Sequence, residues 1–239
     1  MPRARVAPSI LNATNFEYLM SANKLLLTRQ FELFNVLAHV EQAHVYHLQS
    51  EKGFLGEIYE DNTLSKHIFR QFARLFRPYE LQMPLNQEVY RIHRPFAFIN
   101  SHVTVSNNSK DLGKVHSHWH PIRRRYDLFT NQDNSYRQFG RIDSPFWSWD
   151  FVLKDEHNIP RCYINRHFRG IFREALTDQG QYEITFEDSS IKNVLKPEER
   201  LLAIACAISI DFDYFSRHSG MFGTNFQIPR ERELPHTNK

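Results

Sequence analysis

The chain has 239 residues, 41% of them hydrophobic and 24% charged, with a net charge of +3 when its 13 histidines are neutral. That balance is ordinary for a globular protein, excludes a low-complexity or disordered chain, and supplies core for one domain or two small ones. The only two cysteines, Cys162 and Cys206, exclude a disulfide-stapled secreted domain, and the mild positive excess suits an acidic partner without demanding one.

The opening "MPRARVAPSILNATN" has no apolar run of the kind a secretory signal needs. Arg3 and Arg5, with no acid before Glu17, give it a faint likeness to a mitochondrial presequence, but Pro2 and Pro8 interrupt the required helix. Residues 1–22 therefore read as a flexible arm. From Phe31 the text changes to short runs of alternating polarity: "FELFNVL" (31–37), "HVYHLQ" (44–49), "LGEIYE" (55–60), "EVYRIHR" (88–94), "LGKVHSHWH" (112–120) and "RYDLFT" (125–130). "RQFGRID" (137–143), "FWSWDFVL" (146–153), "RCYINRHF" (161–168) and "YEITFE" (182–187) continue the series. Such period-2 text predicts strands with one buried face. Turn-type clusters separate them, as at "NNSKD" (107–111), "NQDNS" (131–135) and "KDEHNIP" (154–160). About a dozen strands without crossover helices predict an antiparallel barrel or sandwich.

Two segments break the pattern. In "TLSKHIFRQFARLFR" (63–77), Leu64, Ile68, Phe69, Phe72, Leu75 and Phe76 recur at spacings of three and four. Lys66, Arg70, Arg74 and Arg77 fill the gaps, so a short basic amphipathic helix is predicted, stopped by Pro78. It either caps one end of the barrel or lies in a membrane interface. The second is "LLAIACAISIDFDYFSR" (201–217), in a helix predicted over about 197–217, with Pro197, Glu198 and Glu199 suited to its first turn. Its ten uncharged residues rise ~15 Å, whereas a bilayer core is ~30 Å thick. Asp211 and Asp213 lie roughly 200° apart around the helix, so one polar face cannot hide both. A wide barrel needs filling, and a helix apolar all round can fill it. Leu201, Leu202, Ile204, Cys206, Ile208, Ile210, Asp211, Phe212 and Phe215 are the predicted plug. The two acids then sit at the unfavourable end of the helix dipole and need partners, with Arg217, His218 or a strand arginine as candidates. Residues 219–239 read as a flexible tail.

Other clusters carry less. His116, His118 and His120 alternate on one predicted strand with no acid or cysteine nearby, which favours a solvated face over a metal site. Arg123, Arg124 and Arg125 could join Lys66, Arg70, Arg74 and Arg77 in a basic patch for anionic headgroups. Cys162 and Cys206 read as core residues. The sequence holds no nucleophile elbow, phosphate loop or paired metal cysteines, so no catalytic residue is assigned and a conventional enzyme is the weakest reading.

At "HFRGIFREALTDQGQYEITFED" (167–188) the sequence resembles the phospholipid scramblase family, through His167, Phe168, Gly170, Ile171, Arg173, Glu174, Ala175, Thr177 and Asp178. Ile210, Asp211 and Phe212 match the family's last helix, and "RPY" (77–79), "RPF" (94–96) and "GKVHSHWHP" (113–121) also fit, so the likeness runs from about residue 25 to 216. "FWSWDF" and "IDFDYFSR" look most like its fungal and mitochondrial branch. The resemblance implies a tubby-like fold of twelve antiparallel strands around a hydrophobic C-terminal helix, over residues 23–218. It also implies a membrane-associated protein, facing the cytoplasm or in mitochondria, linked to calcium-dependent, ATP-independent movement of phospholipids between leaflets. The alternative is a non-catalytic module binding anionic headgroups; nucleic acid is a weaker partner.

The family's proposed calcium segment begins here at Asp178. An EF-hand-like loop would then place Gly180, Tyr182, Phe186 and Ser189 at ligand positions and Glu183 at the turn glycine. The alternation of Tyr182, Ile184 and Phe186 with Glu183, Thr185 and Glu187 instead predicts a strand with an aromatic inner face. A weak calcium site using Asp178, Glu187 and Asp188 is the alternative, and no cofactor is required.

Overall fold

The computed structural model describes residues 13–30, 45–60, 78–85, 88–97, 99–108, 110–166, 180–187, 191 and 194–215. Helix α1 (Ala13–Ser21) leads into twelve strands: β1 (Lys24–Gln30), β2 (Val45–Ser50), β3 (Gly53–Glu60), β4 (Tyr79–Leu85), β5 (Glu88–Arg94) and β6 (Ser101–Asn107). Next come β7 (Lys110–His118), β8 (Arg123–Gln132), β9 (Ser135–Pro145), β10 (Asp150–Lys154), β11 (Pro160–Arg166) and β12 (Gln181–Thr185). Helix α2 (Pro197–Ile210) follows, and its last turn widens to a π-helical turn over Asp211–Phe215.

Each strand pairs antiparallel with its neighbours, and β1 pairs with β12, from Lys24 opposite Thr185 to Thr28 opposite Gln181, closing the barrel. The predicted inner face of β12 is real: Tyr182, Ile184 and Phe186 are fully buried. Outward positions carry polar side chains such as Glu57, Arg91, His93, His102, Lys114 and Arg141, unlike the apolar outer band of a membrane-spanning barrel. Twelve strands enclose more space than strand side chains alone fill, and α2 occupies it. Every residue from Glu199 to Ile210 is buried. Among the described residues, no helix is long and apolar enough to cross a membrane.

The first turn of α2 follows its text. Pro197 takes an early position that has no N–H to satisfy, and Glu199 accepts the Lys196 backbone N–H at 2.9 Å and Arg161 Nη2 at 2.9 Å. Gly113 lets β7 approach the plug: a Cβ there would lie 2.2 Å from the Phe129 carbonyl oxygen and 2.8 Å from Leu202 Cδ1. The turn clusters also act as predicted. Asp133 and Asn134 take φ of 50° and 63° between β8 and β9, the left-handed pair of a type I′ hairpin, and Asn108 and Asn158 take φ of 50° and 61°.

Three expectations need correction. Residues 13–21, read as part of a flexible arm, form α1, because Leu19 is buried and Phe16 and Met20 lean on the same core. The "FWSW" of residues 146–149 is a loop, and β10 begins only at Asp150. The "WH" of 119–120 likewise lies beyond the end of β7, so His120 does not share a strand face with His116 and His118. Strands β1, β4 and β6 were absent from the alternating series. The predicted strand at 31–37, the helix at 63–77 and the tail at 219–239 lie outside the described residues.

Candidate functional site

Because the strands run up and down, connections alternate between the two ends of the barrel. One end carries polar turns: "EK" at 51–52, "DN" at 133–134 and "DEHNI" at 155–159. The other end, where α2 and its π turn emerge, carries the loops "PFAFIN" (95–100), "WHPI" (119–122) and "FWSW" (146–149). These three loops hold no Asp, Glu, Lys or Arg. The connection from β3 to β4 also leaves and returns at this end; its Lys66, Arg70, Arg74 and Arg77 lie outside the described residues.

Below the loops sits a buried ionic layer. Asp211 Oδ2 accepts Arg29 Nη1 at 2.9 Å and the Tyr46 hydroxyl at 2.8 Å, and Oδ1 accepts the Tyr182 hydroxyl at 2.8 Å. Asp213 Oδ1 accepts Arg94 Nη1 at 2.6 Å, and Oδ2 accepts the Tyr126 hydroxyl at 2.8 Å and Ser117 Oγ at 3.3 Å. The partners are thus strand arginines, one of the expected sources, with phenol hydroxyls that the sequence did not disclose. Burial, then the neighbouring carboxylate, holds the Tyr46, Tyr126 and Tyr182 phenols protonated well above their ordinary range. Burial works against the charge on Arg94, but Asp213, Tyr79 and Tyr126 together outweigh it and the pKa rises.

The three consecutive arginines do not form one patch, because β8 sends alternate side chains to opposite faces. Arg123 Nε and Arg125 Nε share a single acid, Asp143 Oδ1, at 2.5 and 3.3 Å on the outer face. Arg124 turns inward and is 5% exposed. Its guanidinium lies 4.3 Å from the Tyr214 ring, 4.8 Å from Phe215, 5.1 Å from Phe146 and 5.6 Å from Phe151. Its Nη1 donates to the Ser148 carbonyl at 3.2 Å, its Nε has no hydrogen-bond partner, and no carboxylate pairs with it among the described residues. Burial lowers its pKa. Arg166 stacks nearby, 4.2 Å from Phe215 and 4.8 Å from Trp149.

The described part of the calcium segment does not fit a cation loop: positions 181–185 are strand β12, with alternate side chains facing the core. Glu187 is taken by Arg200, whose Nη2 lies 3.1 Å from its Oε1. Asp178 and Asp188 lie outside the described residues. Among the described residues, no group of three His, Cys, Asp or Glu side chains is placed to hold a metal. His116 lies 6.0 Å from His102 and 6.3 Å from His118, ring to ring, and His118 Nε2 sits 2.9 Å from Asp127. Burial, then Lys114, lowers the pKa of His102 and His116. Cys162 and Cys206 are buried thiols whose pKa burial raises.

The loops above Arg124 are tied to one another. Trp119 N donates to Asn100 Oδ1 at 2.9 Å, Phe146 N to the Ile122 carbonyl at 3.1 Å, and Arg166 N to the Trp149 carbonyl at 2.9 Å. Their apolar side chains nonetheless point into solvent: Trp147 is 84% exposed, Ile122 69%, Trp119 68%, Ile99 66% and Phe96 53%. Alternation could not reveal this, since apolar letters were read as buried ones.

Fold and site together define a helix-plugged antiparallel barrel whose described loops are polar at one end and apolar at the other. A family model described as Scramblase matches residues 4–217, and the chain belongs to that family. It is 34% identical over 236 aligned positions to altered inheritance rate of mitochondria protein 25 of Saccharomyces cerevisiae, covering 83% of this chain and 72% of that protein. It is 32% identical over 244 positions to a phospholipid scramblase family protein of Schizosaccharomyces pombe, covering 88% of this chain and 64% of that one. Human phospholipid scramblase 2 is 24% identical over 91% of this chain and 76% of its own length. No solved structure matches the chain.

Proposed function

We propose that this protein acts on phospholipids from the surface of a membrane and moves them between leaflets in both directions without ATP. Family membership supports the substrate class. The observation that carries the surface location is the plug. Helix α2 fills the barrel from Glu199 to Ile210, leaving no lumen for a headgroup, and the outward strand positions are polar. Lipid is therefore met on the outside, without a lipid path through the barrel or along a spanning helix. The name of the budding-yeast relative, which refers to inheritance of mitochondria, supports a mitochondrial membrane. Calcium is not required in this reading, because Glu187 is engaged by Arg200 and β12 presents no cation loop.

A second reading, a headgroup-binding adaptor that moves no lipid, is favoured by Arg124, a buried cation paired with no carboxylate among the described residues. Liposomes carrying fluorescent phospholipid in both leaflets separate the two. If the protein scrambles, added dithionite bleaches beyond the outer leaflet, to the same extent with calcium or with chelator. Binding with bleaching confined to the outer leaflet sinks lipid movement and leaves the adaptor.

A further inference from the structure

We propose that the helix-exit end of the barrel is a docking face for a phospholipid bilayer, seated end-on with Trp119, Ile122, Trp147, Ile99 and Phe96 in the headgroup–acyl boundary. This rests on the membrane-surface reading and names the face that such a reading needs. Single exposed apolar residues are ordinary on a soluble protein, but a cluster on one face marks an interaction site. Here three loops that are distant in sequence meet at one end and are joined by hydrogen bonds from Trp119 N to the Asn100 side chain and from Phe146 N to the Ile122 carbonyl, so the tips form one presented surface.

A bilayer fits this face better than a protein partner does. All three tryptophans of the chain, Trp119, Trp147 and Trp149, lie in these loops. Tryptophan is the side chain that settles at the membrane interface, where its ring is half in water and half in lipid. The loops carry no acid to repel phosphate. Behind them the charge is positive: Arg124 is buried against Phe146 and the Ser148 carbonyl, and Arg123 and Arg125 share one carboxylate. Apolar tips backed by guanidinium match the order of a bilayer surface, with phosphates outside and acyl chains beneath. The opposite end has charged turns, "EK", "DN" and "DEHNI", and no tryptophan.

The tryptophans make the test direct, since intrinsic fluorescence reports on this face alone. Phosphatidylcholine vesicles containing phosphatidylserine should shift the emission to the blue, and phosphatidylcholine brominated near the top of the acyl chain should quench it more than lipid brominated deep in the chain. The double variant Trp147→Ser/Ile122→Ser removes two exposed tips, so its melting temperature should match the parent's, while its vesicle affinity falls by roughly tenfold or more. Vesicle co-sedimentation without a blue shift or quenching would overturn the docking face and leave the membrane reading standing. Absence of co-sedimentation would remove both. A concentration-dependent blue shift without vesicles would assign the face to a second copy of the chain and overturn the proposal.

Discussion

Asp211 and Asp213 stand where the helix dipole is least hospitable to acid, and each is held by a strand guanidinium and two hydroxyls that between them reach both carboxylate oxygens. Asp211→Asn removes the charge 2.9 Å from Arg29 Nη1, a guanidinium only 3% exposed, and is expected to cost about 3–5 kcal/mol in urea unfolding. A cost well under 1 kcal/mol would mean that the pair is not buried as described. The tyrosines add a pH dependence. Burial chiefly raises the pKa of Tyr46, Tyr126 and Tyr182, and pushes Tyr79 up to about 12. An unfolded phenol ionises near pH ~10. The stability from these groups is thus complete below that pH and is lost as pH rises towards their folded values. Tyrosinate absorbance should then rise together with the loss of near-ultraviolet dichroism. Ionisation that preceded the loss would contradict the network.

At the scale of elements, α2 and the strand beside it depend on one missing side chain. At Gly113 an added methyl group meets a backbone oxygen that cannot rotate away, and Leu202 of the helix behind it. Gly113→Ala is expected to destabilise by about 1–3 kcal/mol, read as a lower melting temperature with the barrel's dichroism spectrum retained. The plug itself was legible in the text, because its apolar run is too short for a bilayer and apolar on every side. Helix α1 was not: nine residues carry too few turns for a clear period, and only packing on the core reveals why Leu19 matters. The loop at 146–149 failed for a different reason. "FWSW" alternates as a strand does, and pattern reading equates apolar with buried. That equation breaks where apolar side chains serve an outside contact, so the misread loop is the one with the most exposed tryptophan.

For the whole molecule, the sequence disclosed the barrel and its filling, but not that the described loops are polar at one end and apolar at the other. That division follows from strand direction: loops separated by the length of two strands in sequence become neighbours only once alternate connections are known to share an end. The basic residues followed the same logic. Arg123, Arg124 and Arg125 read as one patch in a string of letters, and the pleat of β8 divides them between two faces. Barrel closure carries a further consequence for how the molecule comes into being. The seam joins the first strand to the twelfth, Arg29 meets an acid 182 residues further along, and the element that covers every inner face is made after all the strands. A growing polypeptide on the ribosome therefore carries twelve half-greasy ribbons with nothing yet to wrap around. Such distant contacts slow folding and prolong the exposure of sticky surface. Synthesis, rather than the finished molecule, is thus when the inner faces of this barrel stand most exposed.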